Sequence, residues 1–181
     1  MFRFNSTTTG YNYLFDKPAC SGYNKRRKLP LAMPKTTTFL LAEDDSNDAF
    51  FVEQGFKKSP GAIELRTVQD GAQAMEYIQG KGNFADRQKF PLPDVVLLDI
   101  KMPRVNGFEF LHWLRNDAPS NVRLTPVVIM SSSSESSDVT RAYTLGANSY
   151  FVKPADFQAY QYRIQELGSY WSDTLRHNPA T

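Results

Sequence analysis

Val95-Val96-Leu97-Leu98 is an unbroken apolar run that stops abruptly at Asp99. A strand that is apolar on both faces has to be covered on both faces, which places it at the centre of a parallel sheet flanked by helices. The rest of the chain from Phe39 repeats the theme, with short apolar runs alternating with amphipathic stretches, as in an α/β sheet interleaved with helices. Phe39-Leu40-Leu41-Ala42 reads as the first strand, and Ser46 is placed to cap a helix with Ala49, Val52 and Phe56 on one face. Ile63 to Thr67 alternates as a second strand. Asp70-Gly71 opens a short helix carrying Ala74, Met75 and Ile78, and a long polar loop follows from Gly80 to Pro93. Beyond the central run, Phe108, Leu111 and Leu114 mark a third helix, Val127 to Met130 a fourth strand, Val139, Ala142 and Tyr143 a fourth helix, and Tyr150-Phe151-Val152 a fifth strand. Phe157, Tyr160, Ile164, Leu167, Trp171 and Leu175 recur at spacings of three and four, a core-facing stripe on a long last helix.

Composition narrows the class. With 41% hydrophobic and 22% charged residues in 181, the chain has the balance of one soluble domain with some length to spare. No apolar run approaches the roughly 18 to 20 residues of a membrane span, and no secretory signal is present, so the expected setting is cytoplasmic with no membrane partner. Cys20 alone cannot make an internal disulfide, and with only His112 and His177 there is no zinc cluster. The net charge of +2 conceals an asymmetry. Residues 1 to 35 hold seven Lys/Arg against Asp16, whereas the remainder holds fourteen against eighteen acids. Residues 1–36 therefore read as a poorly ordered basic extension, 37–176 as the folded domain and 177–181 as a tail, with Met33 a candidate native start. The Lys25-Arg26-Arg27-Lys28 run is followed by no helix-turn-helix or aromatic sheet face, so the expectation is a chain with no attached DNA-binding domain.

In a parallel sheet, ligands gather outside the carboxyl ends of the strands. Here those ends carry Glu43-Asp44-Asp45, Asp99, Ser131-Ser132 and Lys153-Pro154. Taken singly, an acidic run is a solvated turn and a lysine before proline an ordinary loop residue. Converging carboxylates repel one another unless a cation lies between them, which implies a hard divalent ion, and Mg²⁺ suits few carboxylates and a phosphorylated group. Three carboxylates, one Mg²⁺ and Lys153 come to about neutral, so an incoming phosphoryl group is tolerable.

These segments resemble the receiver domain of two-component response regulators. The resemblance rests on LLAEDD (40 to 45), VVLLDIKMP (95 to 103) with Gly107, PVVIMSS (126 to 132) and GANSYFVKP (146 to 154). FADRQKFPLP (84 to 93) and ELGSYW (166 to 171) further resemble single-domain regulators paired with phytochrome-type histidine kinases. The resemblance implies a flavodoxin-like, doubly wound (βα)5 sheet with strand order 2-1-3-4-5. It implies Asp99 as the phosphoacceptor, receiving its phosphoryl group from a sensor histidine kinase or phosphotransfer protein. Mg²⁺ would be held by Asp44, Asp99 and the backbone carbonyl of Lys101, with Glu43 acting through water. Ser131, Ser132 and Lys153 would contact the phosphoryl group, Ser131 and Tyr150 would form the switch, and Pro154 would follow a cis peptide bond. The output is a changed face of fourth helix, fifth strand and last helix, without enzymatic turnover.

Two other readings bear on the same residues. A phosphorelay intermediate or phosphate sink would use the same site. An α/β phosphatase or a flavin protein fits less well: the former needs a second Asp two residues after its nucleophile, and the latter a phosphate-cradling loop where three acids stand. His112 reads as structural. The aromatic surplus of Tyr160, Tyr162, Tyr170 and Trp171 packs the core or marks a partner or homodimer surface.

Overall fold

A computed structural model describes residues 36–176, so the basic extension, the Met33 start and the tail lie outside the described residues. Its centre is β3 (Val95–Asp99), buried along its whole length as a two-sided apolar strand must be. Around it run β1 (Thr37–Ala42), β2 (Ile63–Val68), β4 (Val127–Ser131) and β5 (Ser149–Val152), all parallel and in the order β2-β1-β3-β4-β5. The helices are α1 (Ser46–Lys57), α2 (Gly71–Gln79), α3 (Gly107–Asn116), α4 (Ser136–Thr144) and α5 (Phe157–Arg176). This is the flavodoxin-like α/β arrangement expected. The chain leaves β1 in one direction across the sheet and β3 in the other, which opens a crevice at their carboxyl ends.

Alternation along each strand divides the core. Leu40, Val96, Leu98, Val127 and Ile129 face α2, α3 and α4, where Ala74, Leu111, Leu114 and Ala142 meet them. Phe39, Leu41, Leu97, Val128 and Met130 face α1 and α5 and meet Val52, Phe56, Tyr160 and Ile164. Each fully buried Val, Leu, Ile, Phe or Met among them contributes about 1.5–3 kcal/mol. α1 and α5 come together at Gly55, where a Cβ would lie 2.6 Å from Ile164 Cγ2. That approach sets how α1 presents its first turn to the strand ends.

Several local expectations are corrected. Asp45, not Ser46, caps α1, accepting from the backbone N–H groups of Asn47 and Asp48, so Ser46 is already the first helical residue. Asp70 caps α2 as expected, accepting from Gln73 N, and Asn106 with Glu109 forms a capping box on α3. Tyr143 is 51% exposed and only Ala142 of α4 is buried, while Phe157 lies at the exposed start of α5's stripe. The segment from Gly80 to Pro93 is built rather than merely polar. A 3-10 turn at Gly82–Phe84 brings Phe84 and Phe90 against Tyr77, and Arg87 donates to the carbonyls of Tyr77, Ile78 and Phe90. The bond before Pro154 is trans, not cis; trans is the lower isomer for X–Pro by about 0.5–1 kcal/mol, and Lys153 makes all its contacts from it.

Candidate functional site

β1 ends where Glu43 turns down into the crevice, buried to 3% exposure, while Asp44 stays exposed beside it. β3 delivers Asp99, 7% exposed, from the neighbouring strand. One carboxylate oxygen from each of Glu43, Asp44 and Asp99 lies within 4.8 Å of the others. An all-oxygen donor set of that size fits a hard divalent ion and suits neither zinc nor a soft metal.

β5 sends Lys153 across the crevice. Its Nζ donates to Asp99 Oδ1 and Glu43 Oε2, each at 2.7 Å, and to Asp48 Oδ2 at 2.8 Å. The backbone brings it there, since Lys153 N donates to the carbonyl of Ser131 at 2.7 Å, continuing the β4–β5 ladder one residue beyond β5. Asp99 Oδ2 accepts a short hydrogen bond from Lys101 N. The turn that makes this bond depends on Gly107. Its N–H donates to the carbonyl of Ile100 at 3.0 Å, and any Cβ on it would run into the Asp99 carbonyl.

The electrostatics follow from burial and from one shared cation. Burial lifts the Glu43 carboxyl to about 7, against the pull of Lys153 in the other direction. Asp99 is raised for the same reason, with Lys153 and the Lys101 N–H opposing. Burial disfavours the Lys153 charge, yet Glu43, Asp48 and Asp99 outweigh it and hold the ammonium well above the ordinary lysine range.

Ser131 is buried at the end of β4, and its Oγ accepts from Ser133 N at 3.0 Å; Ser132 beside it is exposed. Tyr150 is half-buried and donates its hydroxyl to the Ser133 carbonyl at 2.9 Å. Ser131 and Tyr150 therefore grip the same residue of the β4–α4 loop from two sides. Pro154 follows Lys153 at the half-buried start of the loop into α5.

The sequence does not by itself place two residues at this site. Asp48 is the third acceptor of Lys153, and its signal was its position one helical turn before buried Val52, which turns a partly exposed acid toward the strand ends. With it the pocket holds four carboxylates, so a divalent ion and Lys153 leave about one negative charge uncompensated where three carboxylates would have left none. Tyr160 is the other. Its hydroxyl is buried with no hydrogen-bond partner among the described residues, within electrostatic reach of Lys153 and Asp48, and burial raises its pKa.

Comparison with known proteins adds three findings. A family model described as the response regulator receiver domain matches residues 39–165. The chain is similar to response regulator Rcp1 of Synechocystis, 29% identical over 136 residues that make up 75% of this chain and 89% of that protein. The Mn²⁺-bound form of Rcp1 superposes with a TM-score of 0.68 at 29% identity, over 76% of this chain and 96% of that one. Two further solved structures are similar. The phosphorylated cyanobacterial phytochrome response regulator RcpA has a TM-score of 0.71 at 28% identity, covering 77% of this chain and 96% of its own. RPA3017, a response regulator in red light signalling of R. palustris, has a TM-score of 0.70 at 38% identity, covering 76% and 95%. No helix among the described residues is long and apolar enough to cross a membrane.

Proposed function

The chain belongs to the response regulator receiver domain family of two-component signalling, and from that premise we propose that it is a phosphorylation-controlled switch of the phytochrome-associated kind, acting as a stand-alone module without enzymatic turnover. Similarity to Rcp1, RcpA and RPA3017 over nearly their whole lengths supports the assignment. Asp99 is the phosphoacceptor. One of its carboxylate oxygens attacks the phosphorus of a phosphohistidine on a sensor histidine kinase or phosphotransfer protein. The N–P bond breaks, its electron pair returns to the imidazole, and an acyl phosphate remains on Asp99.

Glu43, Asp44, Asp99 and the carbonyl of Lys101 would hold Mg²⁺, which when bound supplies the positive charge that lets phosphoryl oxygens approach this acidic crevice. The protein's own contribution is position and charge. The Lys101 N–H fixes the rotamer of Asp99, Lys153 neutralises the developing negative charge, and Ser131 and the backbone N–H of Ser132 receive phosphoryl oxygens. The observation that carries this reading is the buried Lys153 ammonium joined at 2.7 Å to both Asp99 and Glu43, a cation already placed where phosphoryl charge would arrive.

Output follows through Ser131 and Tyr150 to the surface of α4, β5 and α5. There a groove of about 410 Å³ is lined by Tyr150, Phe151, Leu167, Tyr170 and Trp171, with Tyr170 62% exposed, a surface suited to a partner or a second copy of the chain. The test is to treat the protein with Mg²⁺ and acetyl phosphate and follow intact mass and size together. One phosphoryl adduct on the parent and none on Asp99→Asn is the expected result, and unchanged labelling of the variant refutes the assignment.

A further inference from the structure

Asp48 comes from a helix rather than from a strand end, yet it holds Lys153 as closely as the two strand-end acids do. Its side chain is 28% exposed where those of Lys153 and Glu43 are 9% and 2%, so it forms the outer wall of the ammonium's cage. A lysine ammonium has three protons to donate, and all three are committed here, to Glu43, Asp48 and Asp99. A phosphoryl oxygen arriving on Asp99 has to displace one of these acceptors. Glu43 and Asp99 are the buried pair whose charges Lys153 must keep compensating, whereas Asp48 reaches water and gives up least on release.

From this we infer that Asp48 is a positioning residue that acts as a brake. It parks Lys153 against the first turn of α1 and competes with the incoming phosphoryl group for the third ammonium proton, so that transfer to Asp99 releases Asp48. The inference rests on the receiver reading above. It adds that α1, through one carboxylate, sets how readily the site accepts a phosphoryl group. It also gives the uncompensated negative charge in the pocket a location and a use.

The experiment compares the parent chain with Asp48→Asn, Asp48→Ser, Asp48→Glu and Asp45→Asn at saturating Mg²⁺, following acetyl phosphate labelling by intact mass and folding by thermal melting. Asp45→Asn is the charge control: it removes an equal charge three residues away and keeps a good helix cap, and Asp45 makes no hydrogen bond to Lys153, whose charge is the least of the influences on it. The two neutral replacements of Asp48 should label about fivefold faster than the parent, the worth of one half-exposed ion pair. Asp48→Glu should return toward the parental rate, and Asp45→Asn should match the parent. Equal rates in all five proteins, slower labelling of the neutral variants, or the same acceleration in Asp45→Asn overturns the role of Asp48. A parent that takes no label, or labels equally as Asp99→Asn, overturns instead the receiver reading on which it stands. Asp48→Ser keeps the comparison decisive if the Asn variant folds poorly, since serine is well suited to a first helical turn.

Discussion

The Lys153 ammonium lies 2.7 Å from Glu43 Oε2, and their side chains are 9% and 2% exposed. A buried pair of this kind is costly to break from one side, because the partner left behind keeps its desolvation penalty without its counter-charge.

Lys153→Ala should therefore destabilise the chelator-treated protein by about 3–5 kcal/mol, as Glu43 and Asp99 are left to repel one another. Added Mg²⁺ should recover more stability in this variant than in the parent, since the ion alone then compensates Glu43 and Asp99. Thermal melts with and without Mg²⁺ check both statements; an equal metal-induced shift in the two proteins counts against Lys153 sharing the ion's site. The variant should retain some labelling by acetyl phosphate while losing most of the conformational response.

Glu43 predicts a pH dependence with a definite sign. Its carboxyl is lifted from 4.5 to about 7 in the folded state. Between those values the native protein binds more protons than the unfolded chain, so stability falls as pH rises from about 4.5 to 7 and levels off above. The raised Asp99 acts in the same direction. At 3% exposure the effect of Glu43 is on the order of 3 kcal/mol. Denaturant melts in chelator across this window should show the decline, and Glu43→Gln should flatten it. A Glu43→Gln curve parallel to the parent's would sink the assignment.

Arg104 adopts φ 64, the one positive value among the described non-glycine residues, and its guanidinium pairs with Asp70, which is 1% exposed. Two effects oppose each other in Arg104→Gly. Relief of the left-handed backbone gains about 1–2 kcal/mol, whereas removing the guanidinium leaves the Asp70 carboxylate, 1% exposed, without its counter-charge, which costs about 1–3 kcal/mol. The variant should be neutral to slightly destabilised in thermal melts, a smaller loss than the stranded carboxylate alone would cause. Asp70→Ala, by contrast, loses the α2 cap as well as the pair and should cost about 1–2 kcal/mol more than Asp70→Asn, which keeps the cap. Equal melting temperatures of the two variants would show that the pair, lost in both, and not the cap carries the contribution of Asp70.

What was legible in the sequence divides by the range of the interaction. Four strands announced themselves as apolar runs ended by Glu43, Asp99, Ser131 and Lys153, the second by its alternation from Ile63 to Thr67, and the strand order came with the resemblance those ends carry. The ends of Glu43, Asp99 and Lys153 converge as the topology requires. The misses are of three physical kinds. Asp45 and Ser46 are both good cap types, and only the register of the first turn decides between them. Tyr77, Phe84 and Phe90 have no common period, so their cluster appears only once the 3-10 turn folds the loop back. Asp48 was masked by the more conspicuous Glu43-Asp44-Asp45, and an acid in a first helical turn has an ordinary explanation in the helix dipole.

The last prediction concerns the path from Ser131 to Tyr150. Glu135, the cap position before α4, makes no side-chain cap hydrogen bond, so the loop before it is steadied by Ser133, whose N–H donates to Ser131 Oγ and whose carbonyl accepts from the Tyr150 hydroxyl. Removing either bond should cost about 1 kcal/mol. Because both meet at one residue, the costs should not add. Tyr150→Phe should raise amide exchange at residues 132–137 about fivefold while leaving acetyl phosphate labelling of Asp99 at the parental rate. Ser131→Ala should raise exchange in the same amides and also slow labelling, as it removes a phosphoryl contact. In the double variant, exchange should rise by less than the product of the single effects. A multiplicative result would mean that Ser131 and Tyr150 hold the loop independently and that no signal passes between them through Ser133.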